Sequence, residues 1–261
     1  MNAFLELHVK GNPLLMPNPW DAGTARVLAA LGFRALATTS AGFANTLGRP
    51  DGAVSRDEAL AHAAAIVHAV DVPVSADFEN GFADDPHGVA KTVRKAVGVG
   101  LAGCSIEDAT KRADDPIYNI AQAVERIEAA VDAAGHDIVI TARAENFLHG
   151  RTDLAETVAR LQKYQEAGAH VLYAPGITTA EQIRAVVTSV DRPVNVLALP
   201  GVPPVSELAE LGVARISVGS GFALAALGEL VEAGRELLEQ GSYGFWERAG
   251  ASRDVVRNAF S

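Results

Sequence analysis

The chain has 261 residues, of which 49% are hydrophobic and 21% are charged, and its net charge is −10. That length and composition are typical of a globular protein with a large core. The sequence has no cluster of Lys or Arg, and phosphate contacts require one, so its acidic balance argues against nucleic-acid binding.

The sequence carries no signal for export or membrane insertion. A single cysteine, Cys104, excludes a disulfide within the chain and suits a reducing compartment. Residues 1–20 lack a basic stretch followed by a continuous apolar one, so we expect no signal peptide. Because no apolar run is long enough to cross a bilayer, we expect no membrane partner and a cytoplasmic protein.

Eight short segments rich in apolar and β-branched residues recur along the chain and predict strands. They are residues 14–20, 33–40, 72–79, 102–108, 137–145, 170–176, 193–200 and 214–220. Between them, apolar residues three and four positions apart predict helices, most clearly over 56–70, 120–135 and 154–168.

Apolar strands that alternate with helices indicate a parallel sheet covered on both faces. Eight such units favour a (β/α)8 barrel of the TIM type over the alternative, an open doubly wound sheet. No change of composition marks a linker, so we expect one barrel domain over residues 1–261.

The last strand is followed by more helix than a barrel needs. Helices are predicted over 221–241 and 244–260, and the second begins with Phe245 and Trp246. This surplus either packs on another subunit, as expected of a homo-oligomer, or folds back over its own barrel.

Acidic residues stand at the ends of the third and fourth predicted strands. Side chains alternate along a strand, so Asp77 and Glu79 are expected to point the same way, and Glu107 ends the next strand. In such barrels, catalytic residues lie at the carboxyl ends of the strands. Carboxylates that converge there repel one another unless a cation neutralises them, and oxygen ligands alone suit Mg²⁺ or Mn²⁺ better than Zn²⁺.

Arg143 ends the fifth predicted strand and is the cation expected at the same mouth. A guanidinium can hold a substrate carboxylate with two hydrogen bonds. Ser40, Ala41 and Gly42 follow the second strand, and their backbone N–H groups could bind the other oxygen of that carboxylate. A simple strand-to-loop turn explains those three residues equally well.

Two other chemistries have weaker support. A Schiff base needs a lysine inside the barrel, and the five lysines fall in predicted helices, the N-terminal arm or, for Lys111, a loop. The glycine-rich stretch 217–223 could bind a phosphate, but it is equally typical of a tight turn between strand and helix.

Five segments together resemble the isocitrate lyase/phosphoenolpyruvate mutase superfamily. They are PNPWDAGTARVLAALGFRALATTSAG, GRPDG, VSADFENGF, GCSIEDA and TARAENFLHG. The resemblance implies a (β/α)8 barrel, a C-terminal helix exchanged between subunits of a homodimer or homotetramer, and Mg²⁺ at the mouth. It also implies substrates that are 2-oxo acids or become pyruvate enolates.

The resemblance also implies roles for individual residues. Asp77 matches the family's principal metal-side Asp, Glu107 matches its metal-side Glu, and Glu79 stands where many members have a second Asp. Asp51 matches the acid in the loop after strand 2, and Arg143 matches the arginine opposite the pyruvyl carboxylate.

Ser40, Ala41 and Gly42 match the backbone cradle for that carboxylate. Trp20, in the first of the five segments, is a further expected substrate contact. Asp51, Arg143 and Lys111 are the predicted catalytic residues.

The sequence departs from the superfamily pattern where members choose the bond to break. Lyases carry Lys-(Lys or Arg)-Cys-Gly-His in a gate loop after strand 4, whereas residues 110–119 read TKRADDPIYN, with Ala113 in place of the thiol. The polar positions that hold extra carboxylates in lyases fall near Pro175 and Leu197 here. Cleavage of isocitrate or methylisocitrate is therefore disfavoured, and the Lys-Thr-Asn segment of phosphonomutases is also absent.

Three functions remain open. The first is a Mg²⁺-dependent carbon–carbon lyase or decarboxylase that acts on a small 2-oxo or 2-hydroxy carboxylic acid through a pyruvate enolate. The second is a phosphoenolpyruvate or carboxyphosphonoenolpyruvate mutase-type phosphonate enzyme, or a related hydrolase. The third is a barrel that binds an acidic metabolite without catalysis.

Overall fold

In the computed structural model, which describes residues 3–261, eight parallel strands form a nearly closed barrel. The strands are β1 (Leu14–Met16), β2 (Leu36–Ala37), β3 (Val74–Asp77), β4 (Gly103–Glu107), β5 (Val139–Arg143), β6 (Val171–Tyr173), β7 (Val194–Leu197) and β8 (Arg215–Ser217). Each lies inside one of the eight predicted segments, so the strand prediction and the (β/α)8 fold are confirmed.

Neighbouring strands pair from β1 through β8, β7, β6, β5, β4 and β3 to β2. The seam between β1 and β2 is bridged by the Ala37 N–H, which donates to the Pro17 carbonyl at 3.0 Å.

Helices cover the outside of the barrel. They are α1 (Ala22–Ala30), α2 (Ser40–Thr46), α3 (Arg56–Val67), α4 (Pro86–Val99), α5 (Ile120–Ala134), α6 (Leu154–Glu166), α7 (Ala180–Thr188), α8 (Val205–Glu210), α9 (Gly221–Arg235), α10 (Phe245–Ala251) and α11 (Arg253–Ala259). None of the helices in this described part of the chain is long and apolar enough to cross a bilayer.

Local sequence explains where several helices begin and end. At α3, the Ser55 and Glu58 side chains each accept a hydrogen bond from the other residue's backbone N–H, which is a capping box. Helix α4 has Asp85 as its N-cap and Pro86 in its first turn, and it ends at Gly100, whose φ of 87° favours glycine.

Two predictions about local structure differ from the structure. Residues 40–42 are the first turn of α2 rather than a simple turn, because Thr39 caps a helix there. The predicted helix 244–260 is two helices that meet at Ser252. Helix α11 packs against α1 of the same chain, where the Phe260 ring lies beside Gly23.

The lower barrel interior is filled from the N-terminal arm. Phe4 is buried there against residues at the start of the strands, including Leu14, Val139 and Val171. Gly103 makes room for it, since a Cβ at that position would lie 2.9 Å from the Phe4 ring. The larger core lies between the strands and the helices. The barrel interior is open at the carboxyl ends of the strands.

Candidate active site at the barrel mouth

A cavity of about 160 Å³ opens at the carboxyl ends of the strands. Five predicted site residues line it: Ser40, Ala41, Asp51, Asp77 and Arg143. The structure therefore brings residues from the second, third and fifth βα units to one place, as the strand ends predict.

Arg143 lies at the centre of a group of carboxylates. Its Nη1 lies 2.9 Å from Asp77 Oδ1, its Nε lies 2.7 Å from Glu145 Oε1, and its Nη2 lies 3.4 Å from Glu107 Oε2. The guanidinium also lies over the Tyr173 ring, 5.1 Å from its centroid. Strand register explains two of these contacts, because Arg143 pairs directly with Glu107 on β4 and with Tyr173 on β6.

This group has more carboxylates than its cation can stabilise. Burial and the neighbouring Glu145 raise the pKa of Glu107 well above its usual range, although Arg143 opposes them. Burial likewise raises the pKa of Glu145. Burial disfavours the charge on Arg143, but the surrounding acids outweigh it and raise its pKa, so this side chain stays cationic.

Glu79 lies beside this group but not for the predicted reason. Strand β3 ends at Asp77, and Glu79 has a left-handed backbone with φ of 48°, so strand alternation does not set its direction. Its carboxylate pairs with Lys111, which also has a positive φ, of 64°. Burial raises the pKa of Glu79, and Lys111 opposes that shift. Such strained non-glycine residues are typical of functional sites.

The predicted metal ligands have the right chemistry for a hard divalent cation. Asp77, Glu79 and Glu107 supply carboxylate oxygens, which Mg²⁺ and Mn²⁺ prefer. Each of them faces a basic side chain in the structure. Between residues 3 and 261, no three acidic, histidine or cysteine side chains are grouped so as to hold a metal. Burial and the neighbouring Glu145 raise the pKa of Glu107, so additional positive charge beside it would favour its ionised form.

The backbone cradle predicted at residues 40–42 is partly occupied by contacts within the protein. The Gly42 N–H donates to Thr39 Oγ1 at 3.2 Å, and the Ser40 N–H points to Asp77 Oδ2 at 3.4 Å. Gly42 is buried under Trp20, where a Cβ would lie 3.1 Å from the Trp20 Cβ. Neither Gly42 nor Trp20 lines the cavity.

A buried ion pair lies behind the mouth. Asp108 Oδ2 accepts hydrogen bonds from Arg160 Nη1 at 3.0 Å and from the Tyr164 hydroxyl at 2.5 Å. Its other oxygen accepts the Glu145 N–H at 2.8 Å. Asp108 thus fixes the backbone of the residue that holds Arg143, a role that sequence reasoning did not assign.

Sequence reasoning assigned no role to several polar residues on the cavity wall, among them Asn18, Tyr173, Asn195, Arg215 and Ser217. All five stand inside the predicted strand segments, and a polar residue at an inward position of a strand is the signal that could have found them.

Asn18 changes the interpretation of the glycine-rich stretch 217–223. Its Oδ1 accepts hydrogen bonds from the N–H groups of Val218 and Gly219, both at 2.9 Å. Those donors are therefore already used within the protein, which argues against a phosphate cup at this loop.

Polar and charged contacts tie the gate loop, residues 110–119, to the loop that follows β3. The Tyr118 hydroxyl donates to Asp84, and Arg112 lies 3.6 Å from acidic oxygens of Asp84 and Asp115. Cys104 cannot replace the missing thiol, since it is buried in β4 and burial raises its pKa to about 12. Leu197, which lies near a position expected to be polar in lyases, lines the cavity with an apolar side chain.

Comparisons with known proteins identify relatives of this chain. The family model described as phosphoenolpyruvate phosphomutase matches residues 4–238. A solved structure from Burkholderia cenocepacia J2315, assigned only provisionally as a lyase or mutase, is 53% identical with a TM-score of 0.94, over 98% of this chain and 94% of that one.

Two curated relatives carry named activities. The 2-methylisocitrate lyase of Escherichia coli (strain K12) is 32% identical over 201 residues, which is 74% of this chain and 67% of that protein. The oxaloacetate decarboxylase of Pseudomonas entomophila (strain L48) is 28% identical over 235 residues, which is 86% of this chain and 80% of that protein.

Proposed function

This chain belongs to the phosphoenolpyruvate phosphomutase family, within the isocitrate lyase/phosphoenolpyruvate mutase superfamily, and we propose that it is a Mg²⁺-dependent carbon–carbon lyase or decarboxylase. Its substrate is a small 2-oxo or 2-hydroxy carboxylic acid, and the reaction passes through a pyruvate enolate. One observation carries the proposal: the carboxylates Asp77, Glu107 and Glu145 surround Arg143 beside a cavity of about 160 Å³.

Asp77 and Glu107 are the residues that would hold the cation, with Glu79 beside them, and Mn²⁺ could replace Mg²⁺. A divalent cation bound there would draw electron density from the 2-oxo group and so stabilise the enolate that remains when the carbon–carbon bond breaks. Three buried carboxylates around one guanidinium support this assignment, and burial, together with Glu145, raises the pKa of Glu107.

Arg143 then binds and orients the substrate. Glu145 binds the Nε of Arg143. The two Nη groups would therefore be available to a substrate carboxylate if Asp77 and Glu107 bound the cation. Ser40 and Ala41, at the start of α2, line the same cavity, and the backbone N–H of Ala41 would bind the other oxygen. Two contacts of this kind fix the plane of the carboxylate.

The remaining step is proton transfer to the enolate carbon. Lys111 is the ammonium of the gate loop that already reaches the buried Glu79 carboxylate, and we assign it as the proton donor. Asp51, in the loop between α2 and α3, lines the cavity and positions the reacting group or a water there. The missing thiol at Ala113 fits a reaction that needs no thiol acid, such as decarboxylation.

A phosphonate mutase or related hydrolase is the second candidate. The matching family model is named for phosphoenolpyruvate phosphomutase, and the same carboxylate cradle would bind phosphoenolpyruvate. Against it, Asn18 already occupies the backbone donors of the glycine-rich loop, and the loop 110–119 lacks the mutase segment.

A coupled assay separates these candidates. Oxaloacetate and related 2-oxo and 2-hydroxy acids are each supplied with Mg²⁺, and pyruvate release is followed with lactate dehydrogenase. Pyruvate release that EDTA abolishes supports the lyase. No release from any of these acids, together with rearrangement of phosphoenolpyruvate or phosphonopyruvate, would favour the mutase. Binding of oxalate with Mg²⁺ but no turnover of any substrate would favour a non-catalytic barrel.

We further propose that the protein acts as a homodimer or homotetramer in the cytoplasm. Helix α9 exposes a row of large apolar side chains three and four positions apart: Leu224, Leu227, Leu230 and Val231. Leu230 is 66% exposed, and contiguous apolar surface of this kind is typical of an interface. A second copy of the chain would cover it.

A further inference from the structure

A second arginine lies on the wall of the same cavity, and its hydrogen bonds run to other partners than the carboxylates of the mouth. Arg215 is the first residue of β8 and is only 3% exposed. It pairs in register with Asn195 on β7, and both side chains line the cavity. The reaction assigned above uses neither of them.

The guanidinium of Arg215 is held by neutral partners. Its Nε donates to Asn195 Oδ1 at 2.9 Å, and its Nη2 donates to Thr141 Oγ1 at 3.1 Å. Its Nη1 lies 3.2 Å from His8 Nε2. His8 Nδ1 lies 3.0 Å from the Phe4 carbonyl and must donate to it, so Nε2 accepts from Arg215 and the imidazole is neutral.

Arg215 therefore differs from the other arginines that line or support the site. Arg143 faces three carboxylates, and Arg160 pairs with Asp108. Across residues 3–261, by contrast, no carboxylate lies within ion-pair distance of Arg215. A guanidinium has five N–H donors, and the three hydrogen bonds above leave two for another acceptor.

A buried cation without a counter-anion is costly. Burial lowers the pKa of Arg215 to about 10, so it still carries its charge at neutral pH. Within the described residues, 3–261, this charge has no carboxylate partner, and it borders a cavity that admits a small ligand.

We propose that Arg215 and Asn195 recognise the second carboxylate of the substrate, which makes this protein selective for a dicarboxylic 2-oxo or 2-hydroxy acid. This inference rests on the proposed function, which assigns the first carboxylate to Arg143 and the start of α2. Leu197 also lines the cavity, and its apolar side chain cannot hydrogen-bond the second carboxylate in place of Arg215. The small volume, about 160 Å³, restricts the ligand to a short diacid.

Two variants test the proposal. Arg215→Met removes the charge and keeps a long side chain. Asn195→Asp changes no shape and gives Arg215 a carboxylate inside the protein, while Ser217 Oγ, 2.9 Å from the Asn195 amide nitrogen, can donate to the new oxygen. Asn12→Asp, the same change of charge at an exposed position below the barrel, is the matched control.

Dissociation constants are measured by calorimetry with Mg²⁺ present, for oxalate and for each enantiomer of malate. Oxalate has two directly joined carboxylates and is expected to occupy only the mouth, whereas malate is a 2-hydroxy acid whose second carboxylate lies two carbons further along. We expect one malate enantiomer to bind the wild type and to bind both cavity variants at least tenfold more weakly. Oxalate should stay within threefold, and Asn12→Asp should leave both ligands unchanged.

Three results would overturn the proposal. They are unchanged malate affinity in Asn195→Asp, equal weakening of oxalate and malate in Arg215→Met, and a wild type that binds oxalate but neither malate enantiomer. The last would leave the proposed function standing. Absence of oxalate binding to the wild type would instead remove the proposed function and this inference together. If Arg215→Met fails to fold, the malate and oxalate affinities of Asn195→Asp alone decide the proposal.

Discussion

Replacing Arg143 by Met tests whether the carboxylates at the mouth form one charged unit. The substitution leaves Asp77, Glu107 and Glu145 without the cation that lies 2.7–3.4 Å from them. Their side chains are at most 19% exposed, so solvent screens them poorly. Removing one partner of a buried ion pair costs about 3–5 kcal/mol.

Protonation reduces this cost, because Glu107 and Glu145 already have raised pKa values and can become neutral. We therefore expect the free energy of unfolding to fall by about 3 kcal/mol. In a chain of this size that corresponds to a decrease in Tm of roughly 6–12 °C. Differential scanning fluorimetry in EDTA measures it.

Mg²⁺ should then stabilise the variant more than the wild type, because no guanidinium competes for Asp77 and Glu107. Magnesium at about 100 times its Kd adds about 2.7 kcal/mol. Arg257→Met, which breaks an exposed ion pair with Asp254, is the control and should change Tm little. The carboxylates do not form the unit described if Arg143→Met has the same Tm as that control. The same conclusion holds if Mg²⁺ raises the Tm of Arg143→Met less than that of the wild type.

Three further predictions concern the metal, the barrel floor and the assembly. Asp77→Asn should weaken Mg²⁺ binding at least tenfold in calorimetry, and unchanged affinity would exclude Asp77 as a ligand. Burial and, to a smaller extent, Arg215 lower the pKa of His8 to about 3. As the pH falls below 6.5, this imidazole is therefore protonated in the unfolded chain before it is protonated in the folded protein. Stability is therefore lost between pH 6.5 and about 3. Between pH 6.5 and 5 the wild type should lose about 2 kcal/mol more than His8→Gln in urea unfolding, and parallel losses would refute this. Leu230→Glu should yield monomers in sedimentation velocity, whereas an unchanged oligomer would place the interface elsewhere.

The residues at the mouth could be predicted because each of them stands at or just after the end of a strand that the local sequence reveals. Asp77, Glu107 and Arg143 each end a strand, and parallel strands of a barrel bring their carboxyl ends together. Ser40 and Asp51 follow the second strand and reach the same cavity. The position of these residues follows from strand order alone.

The direction of Glu79 was not predictable in the same way. The apolar run before it predicts a strand through residue 79, but β3 stops at Asp77 and the backbone of Glu79 is left-handed. Its pairing with Lys111 depends on how the gate loop folds back, and no periodic pattern describes that loop.

The sequence by itself determined the eight βα units, their order and the family, because hydrophobic periodicity and short motifs are properties of neighbouring residues. Only the tertiary structure decided which charges meet. Arg143 faces three acids, and Arg215 meets none within residues 3–261. His8, Thr141, Asn195 and Arg215 come together across the barrel although up to 207 residues separate them. Such contacts depend on strand register and on the reach of each side chain into a shared interior, which a one-dimensional pattern does not contain.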